Sequence, residues 1–176
     1  MEIIKTRTTR CVDCYKCVRS CTMKAIQIKE GHAHVVPERC ILDGRCVLIC
    51  PQAAKEVFSS IDDVKQMLKE GKKIILSLAP SFVASFYDYH PGQVYNGLLK
   101  LGFFDVEETS IGAFYTAAAY ENLLNEHKFL ISTDCPALVN LVEKYYPQYN
   151  EFLAPILSPM AAHGKMTNSI SFPRYR

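Results

Sequence analysis

The chain has 176 residues, of which 49% are hydrophobic and 22% are charged, and its formal net charge at pH 7 is +2. This composition excludes an intrinsically disordered protein, and the small net charge offers no basic stripe for binding nucleic acid. No apolar run reaches the length of a membrane span, and the first ten residues lack the hydrophobic centre of a signal peptide. We therefore expect a cytoplasmic protein that binds neither nucleic acid nor membrane.

The cysteines are distributed unevenly along the chain. Seven of the eight lie between Cys11 and Cys50, and the eighth, Cys135, stands far downstream. Disulfides are rare in a reducing cytoplasm, so a dense group of this kind favours metal binding. The group is also an internal repeat, because Cys11, Cys17 and Cys21 recur 29 residues later as Cys40, Cys46 and Cys50. The first region therefore consists of two related halves.

The spacing Cys11-x2-Cys14-x2-Cys17-x3-Cys21 is typical of two-cluster ferredoxins. Three thiolates two residues apart can bind three irons of one cubane, whereas the fourth cysteine ligates the other cluster. Zinc is disfavoured because zinc sites usually pair two Cys-x-x-Cys hooks separated by a dozen or more residues. The predicted ligands of cluster one are Cys11, Cys14, Cys17 and Cys50. The predicted cysteine ligands of cluster two are Cys21, Cys40 and Cys46.

One position breaks the repeat, since Asp43 stands where Cys14 predicts a cysteine. A carboxylate is a harder ligand than a thiolate and binds cluster iron less firmly. Either Asp43 ligates the fourth iron of a labile 4Fe–4S cluster, or that corner is empty and the site holds 3Fe–4S. A third interpretation is an ordinary turn aspartate before Gly44. The sequence thus predicts two iron–sulfur clusters, one 4Fe–4S and the other 4Fe–4S or 3Fe–4S.

The remaining pattern separates a small module from a larger domain. A strand pair is predicted at 25–29 and 33–36, turning at Glu30-Gly31, and an amphipathic helix at 61–70. Beyond it, strands are predicted at 74–79, 103–108 and 128–132, and helices at 93–101, 113–125 and 136–146. Strands that alternate with helices favour a parallel sheet, and the apolar run at 74–79 suits a buried strand. We expect an α+β ferredoxin-like module at 1–57, an α/β domain at 58–166 and a polar tail at 167–176.

The second region carries an ordered series of short motifs. They are Leu78-Ala-Pro-Ser-Phe82, Val106-Glu-Glu-Thr109, Ser132-Thr-Asp-Cys-Pro136, Leu141-Val-Glu-Lys-Tyr-Tyr-Pro147, Ser158-Pro-Met160 and His163-Gly-Lys165. The series resembles the large subunit of iron-only ([FeFe]) hydrogenases, most nearly the ferredoxin-fused sensory branch of that family. The resemblance covers the chain to about residue 166, and it implies that the second region is part of the hydrogenase lobe.

In that family the catalytic domain holds a cubane bridged to a di-iron centre. The resemblance places Cys135 at a cubane-ligand position and Asp134 at the position of the cysteine that relays protons. The unperturbed pKa of an aspartate lies several units below that of a thiol. The family's three other cubane ligands lie in later motifs, and no cysteine follows Cys135 here. The resemblance therefore implies that this chain does not turn over hydrogen on its own.

Three functions fit these observations. The prediction is an electron-transfer protein that serves a redox partner protein or a missing hydrogenase portion. One alternative is a redox or hydrogen sensor, with a labile iron at Asp43 as its switch. Another is a hydrogenase completed by a missing C-terminal part. For Cys135, a buried apolar cysteine is the alternative to a cluster ligand.

Overall fold

The computed structural model describes residues 3–169. Its strands are β1 (Ile4–Thr6), β2 (Ile26–Lys29), β3 (His32–Val35), β4 (Lys55–Val57), β5 (Ile75–Leu78) and β6 (Asp105–Glu108). Its α-helices are α1 (Lys16–Ser20), α2 (Arg45–Leu48), α3 (Ile61–Lys69), α4 (Phe82–Ser85), α5 (Pro91–Lys100), α6 (Ser110–Leu124), α7 (Pro136–Tyr145) and α8 (Pro159–Ser169). None of the helices within residues 3–169 combines the length and apolar character needed to cross a membrane.

The described chain divides into two compact units. The first comprises residues 3–60 together with 135–153, and the second comprises 61–134 together with 154–169. Helix α7 therefore packs with the cysteine-rich unit, a return of the chain that the periodicity did not predict. Most of the polar tail predicted at 167–176 lies outside the described residues; residues 167–169 continue α8.

The first unit repeats one small structure twice. Strand β2 pairs with β3 and β1 pairs with β4, both antiparallel. The short helices α1 and α2 begin at equivalent positions of the two halves. The predicted hairpin is confirmed, and it turns at Glu30 (φ 52°) and Gly31 (φ 83°), where glycine adopts the left-handed backbone without steric cost. Each sheet of this unit has only two strands, so the loops between them are free to hold the cysteines.

The core of the first unit combines small residues with three buried aliphatic side chains, those of Ile4, Ile26 and Val35. Ala25, Ala33 and Ala54 are almost fully buried, beside the buried thiols of Cys17 and Cys46. Among the described residues, no large side chain is completely buried. Burial of a large aliphatic or aromatic side chain contributes about 1.5–3 kcal/mol, and this unit has few such contributions. Bound metal is therefore expected to supply much of its folding free energy.

The second unit contains the predicted parallel sheet. Strands β5 and β6 pair in parallel, with Ile75 opposite Asp105 and Leu78 opposite Glu108. Helices α3, α5 and α6 fall where the hydrophobic period predicts them. The prediction that β5 is a buried strand is wrong. Its residues alternate between exposed and half-buried, and Ile75 is 37% exposed. A sheet of two strands leaves both edges and part of each face uncovered.

The third strand predicted at 128–132 is wrong. Only Ile131 forms a bridge there, and its carbonyl accepts the backbone N–H of Ala154 at 2.9 Å. The hydroxyl of Thr133 then donates to the carbonyl oxygens of Ala154 and Ile156, at 3.0 and 2.8 Å. The segment therefore bonds to the loop before α8 instead of joining the β5–β6 ladder, and a three-residue apolar run cannot reveal that choice.

Helices α6 and α8 approach each other closely at Gly112. A Cβ atom built on Gly112 would lie 2.1 Å from the carbonyl oxygen of Pro159 and 2.9 Å from Cβ of His163. Only glycine fits this crossing. His163 is buried, with Nδ1 2.8 Å from Oγ of Ser77 and Nε2 2.9 Å from a carboxylate oxygen of Glu107. This polar contact ties α8 to β5 and β6.

Candidate iron–sulfur site

The two cysteine loops share an unusual backbone path. Three pairs of equivalent residues have left-handed φ angles, namely Asp13 and Leu42 (53° and 67°), Tyr15 and Gly44 (54° and 71°), and Lys24 and Ala53 (50° and 47°). For residues other than glycine this conformation costs about 1–2 kcal/mol each. Such turns direct successive backbone N–H groups into a concave surface that binds anions. The repeated path therefore forms two equivalent cradles for negatively charged groups.

Backbone N–H groups in these loops point at cysteine sulfurs. The N–H of Ala25 donates to Sγ of Cys21 at 3.4 Å, and the equivalent N–H of Ala54 donates to Sγ of Cys50 at 3.3 Å. In the second loop, the N–H of Leu42 donates to Sγ of Cys40 at 3.4 Å. Hydrogen bonds of this kind favour the thiolate over the thiol and tune the potential of an iron–sulfur cluster.

The predicted ligands of cluster one meet in one cavity. One pocket is lined by Cys11, Cys14, Cys17 and Cys50, together with Thr6, Ala33 and Lys55. Four soft thiol donors on loops from both halves of the repeat form a donor set suited to a 4Fe–4S cubane. The geometry therefore fits the group that the cysteine spacing predicts, including the crossed contribution of Cys50.

The predicted ligands of cluster two lie in the buried core of the same unit. Cys40 and Cys46 are buried, and Cys21 packs against the hydrophobic cluster that contains them. Asp43 is exposed, and its carboxylate accepts the backbone N–H of Arg45 at 3.2 Å. This contact is the ordinary turn interaction, and ligation of iron by Asp43 remains a prediction.

The thiols that would bind iron differ in acidity. Burial raises the pKa of Cys46 to about 11 and also raises the pKa of Cys17. Burial acts in the same direction on Cys50, but backbone N–H groups in the turn after it outweigh that effect, and its pKa is lowered. Iron binds the thiolate, so cluster assembly must release protons from Cys17 and Cys46.

Helix α7 is fastened to the loop that carries Cys40. The Lys144 ammonium donates to the carbonyl oxygens of Pro37 and Cys40, at 2.9 and 2.6 Å. The Tyr145 hydroxyl donates to the carbonyl oxygen of Arg39 at 2.7 Å. Lys144 and Cys40 are 104 residues apart in the sequence. A contact between such distant residues leaves no local pattern, so the sequence alone does not predict it.

Asp134 and Cys135 are both exposed. The interpretation of Cys135 as a buried core residue is wrong, because the thiol stands immediately before Pro136, at the first turn of α7. The backbone N–H of Asp134 donates to Oγ of Ser132 at 3.3 Å. Their positions as cluster ligand and proton relay remain predictions.

A duplicated cysteine module of this geometry defines an iron–sulfur protein, and residues 10–54 match the family of 4Fe–4S dicluster domains. Residues 72–174, more than half of the chain, match the C-terminal domain of the iron-only hydrogenase large subunit. The chain belongs to the iron-only hydrogenase large-subunit family. This confirms the resemblance inferred from the motifs, whereas placement in the sensory branch remains a prediction.

The chain is similar to two known proteins, one over most of its length and one over a short stretch. The chain is 29% identical to iron hydrogenase 1 of Clostridium pasteurianum over 186 residues, which cover 89% of this chain and 32% of the relative. It is 43% identical over 47 residues to one component of the ion-translocating oxidoreductase complex of Methanosarcina acetivorans, covering 27% of this chain and 18% of that protein. The chain thus spans about a third of the length of the first relative and less than a fifth of the second. The chain's iron–sulfur electron-transfer domains are related to these two proteins.

Proposed function

We propose that this chain is an electron-transfer protein whose two clusters serve a redox partner protein or a further hydrogenase portion. The observation that carries the proposal is the pocket in which Cys11, Cys14, Cys17 and Cys50 converge. Each bound cluster supplies a one-electron couple. The cysteines would hold the clusters, and the left-handed loops aim backbone N–H groups at the sulfurs.

The proposed ligand sets follow the crossed repeat. Cluster one is 4Fe–4S on Cys11, Cys14, Cys17 and Cys50. Cluster two uses Cys21, Cys40 and Cys46, with Asp43 at the fourth corner. Burial, Cys40 and Cys17 raise the pKa of Cys46 most, against the lowering effect of Lys55, and the charge of Asp43 adds a smaller increase. This contribution supports the position of Asp43 beside the second ligand set.

Anaerobic reconstitution should yield a brown protein with about seven or eight irons per chain and two reversible one-electron steps. The measurement is iron analysis followed by a potentiometric titration monitored by EPR. A variant with Cys11→Ala and Cys40→Ala is the control, because it removes one ligand from each set and should lose both signals. If the parent protein binds the iron but shows no reversible step, the electron-transfer proposal is wrong.

Replacing Asp43 tests the fourth corner of cluster two. If Asp43 ligates iron, Asp43→Ala should convert this site to 3Fe–4S, whereas Asp43→Cys should give a 4Fe–4S cluster that survives oxidation, since thiolate binds iron more firmly. EPR of the oxidised and reduced proteins distinguishes the two forms. Two 4Fe–4S signals that are unchanged in Asp43→Ala would rule out ligation.

A sensor is the second candidate, and Asp43 is the observation that favours it. Its carboxylate is exposed and bonded to the N–H of Arg45, so binding iron would break a contact at the start of α2. Loss of one iron would restore that contact. Hydrogen–deuterium exchange across residues 42–48 should then differ between the 3Fe and 4Fe forms; equal exchange would argue against a switch at this site.

Hydrogen turnover would require three cubane ligands in addition to Cys135. We propose that this chain supplies none of them and that Asp134 is a slow substitute for a thiol relay, because its unperturbed pKa is several units lower. The hydrogenase alternative accordingly depends on a further polypeptide portion that brings those ligands.

A further inference from the structure

Lys55 is a buried lysine at the start of β4, and its residue is only 4% exposed. Lysine is almost never fully buried unless it is paired, because removing an ammonium from water is costly. The equivalent residue in the first half of the repeat is Ile26, which is also buried. The duplicated fold therefore accepts an apolar side chain at this position, and packing alone does not require a cation.

Two acceptors fix the position of the Lys55 ammonium. It donates to the carbonyl oxygen of Ala33 at 2.9 Å and to the hydroxyl oxygen of Thr6. The Thr6 hydroxyl donates in turn to the same Ala33 carbonyl. These contacts join β1, β3 and β4 around one charged group. Both acceptors are neutral, and among residues 3–169 no carboxylate forms an ion pair with Lys55.

The Lys55 side chain shares a pocket with cluster ligands. Lys55 lines the pocket formed by the four cysteines of cluster one. Burial raises the pKa of Cys17 and Cys46, and the positive charge of Lys55 is the next largest influence, acting in the opposite direction. Cys17 belongs to the ligand set of cluster one and Cys46 to that of cluster two. The Ala33 carbonyl that accepts from Lys55 belongs to a residue of the buried cluster that also contains Cys17, Cys40 and Cys46. The ammonium therefore lines the pocket of cluster one and bonds to the core that holds ligands of both sets.

We propose that Lys55 is the shared counter-charge of the two clusters and raises the reduction potential of each, an inference that rests on the proposed electron-transfer function. Reduction adds one negative charge to a cluster, so a fixed cation nearby stabilises the reduced form more than the oxidised form. The low dielectric of the interior strengthens this attraction. The same attraction offsets the cost of burying the ammonium.

The test compares Lys55→Met with Lys5→Met in the reconstituted full chain. Lys5 is exposed on β1, one residue from Thr6, so its removal makes the same change in net charge within the same module. Potentiometric EPR titration should show both midpoint potentials shifted to more negative values in Lys55→Met and unchanged in Lys5→Met. Lys55→Arg should restore the parent potentials. Equal midpoint potentials in the parent, Lys55→Met and Lys5→Met would overturn the proposal.

If Lys55→Met loses its clusters, its midpoint potentials cannot be measured. Iron analysis of two further variants then separates the effect of the charge from that of packing. Lys55→Gln keeps a hydrogen-bond donor without the charge, and Lys55→Arg keeps both. Iron lost from Gln but retained by Arg supports the counter-charge, whereas iron lost from both assigns Lys55 a packing role and overturns it. A parent protein without reversible steps would refute the electron-transfer function itself. If the parent protein shows reversible steps and the Lys55 variants have the same midpoint potentials as the parent, only the inference about Lys55 is refuted.

Discussion

Cys21→Ala should remove cluster two and leave cluster one, and Cys50→Ala should do the reverse, so that each variant keeps roughly half of the iron. The two residues are a matched pair. Each follows one of the short helices, and each accepts a backbone N–H from the alanine four positions later, at 3.4 and 3.3 Å. The physical reason is the crossed repeat, in which the last cysteine of each half completes the ligand set of the other half.

Double variants test the crossing directly. Cys21→Ala combined with Cys40→Ala should lose no more iron than Cys21→Ala alone, since both residues belong to the predicted second set. Cys21→Ala combined with Cys11→Ala should lose nearly all of it. Iron and sulfide analysis after anaerobic reconstitution is the measurement. If the second combination keeps half of the iron, the two sets are not crossed.

Gly112→Ala should destabilise the second unit by about 3 kcal/mol, the upper end of the usual cost of overpacking. The added methyl group would meet the backbone oxygen of Pro159 at 2.1 Å, and a backbone atom at a helix crossing cannot rotate away. The free energy of unfolding from urea titrations of the full chain, followed by far-UV circular dichroism, is the measurement.

Gly97→Ala is the matched control for this substitution. Gly97 also lies in the interior of a helix, α5, but a Cβ atom there meets nothing within 4 Å. Because alanine favours the helix over glycine by up to about 1 kcal/mol, this variant should be as stable as the parent or slightly more stable. Equal stability of the Gly112 and Gly97 variants would contradict the close crossing of α6 and α8.

Local signals made the cysteine module predictable. Four of the cysteines, from Cys11 to Cys21, fall within eleven residues. The hairpin at 25–36 has a two-residue turn that contains Gly31. Strands β1 and β4 escaped prediction because each has three residues and they pair across the whole module, with Ile4 opposite Val57. A strand of that length has no measurable period of its own.

The second unit shows where the hydrophobic pattern fails. Residues 128–132 are as apolar as a strand, yet Ile131 pairs with the loop before α8 and not with the sheet. Helix α8 is not predicted from the sequence, although the Ser158-Pro-Met160 and His163-Gly-Lys165 motifs mark the region. Its apolar and polar residues do not separate into two faces. Its contacts with β5 and β6 include hydrogen bonds from the buried His163 and from Thr167, and a hydrophobic period counts both residues as polar.

The alanine-rich core of the first unit has a consequence for the life of the protein in the cell. Because few large side chains are buried there, a chain without metal is expected to open often, and opened chains are substrates for proteases. Iron acts here as a ligand that binds the folded state alone. The amount of this protein should therefore follow the supply of iron and sulfide. When iron is scarce, we expect the level of the chain itself to fall, and not only its cluster content.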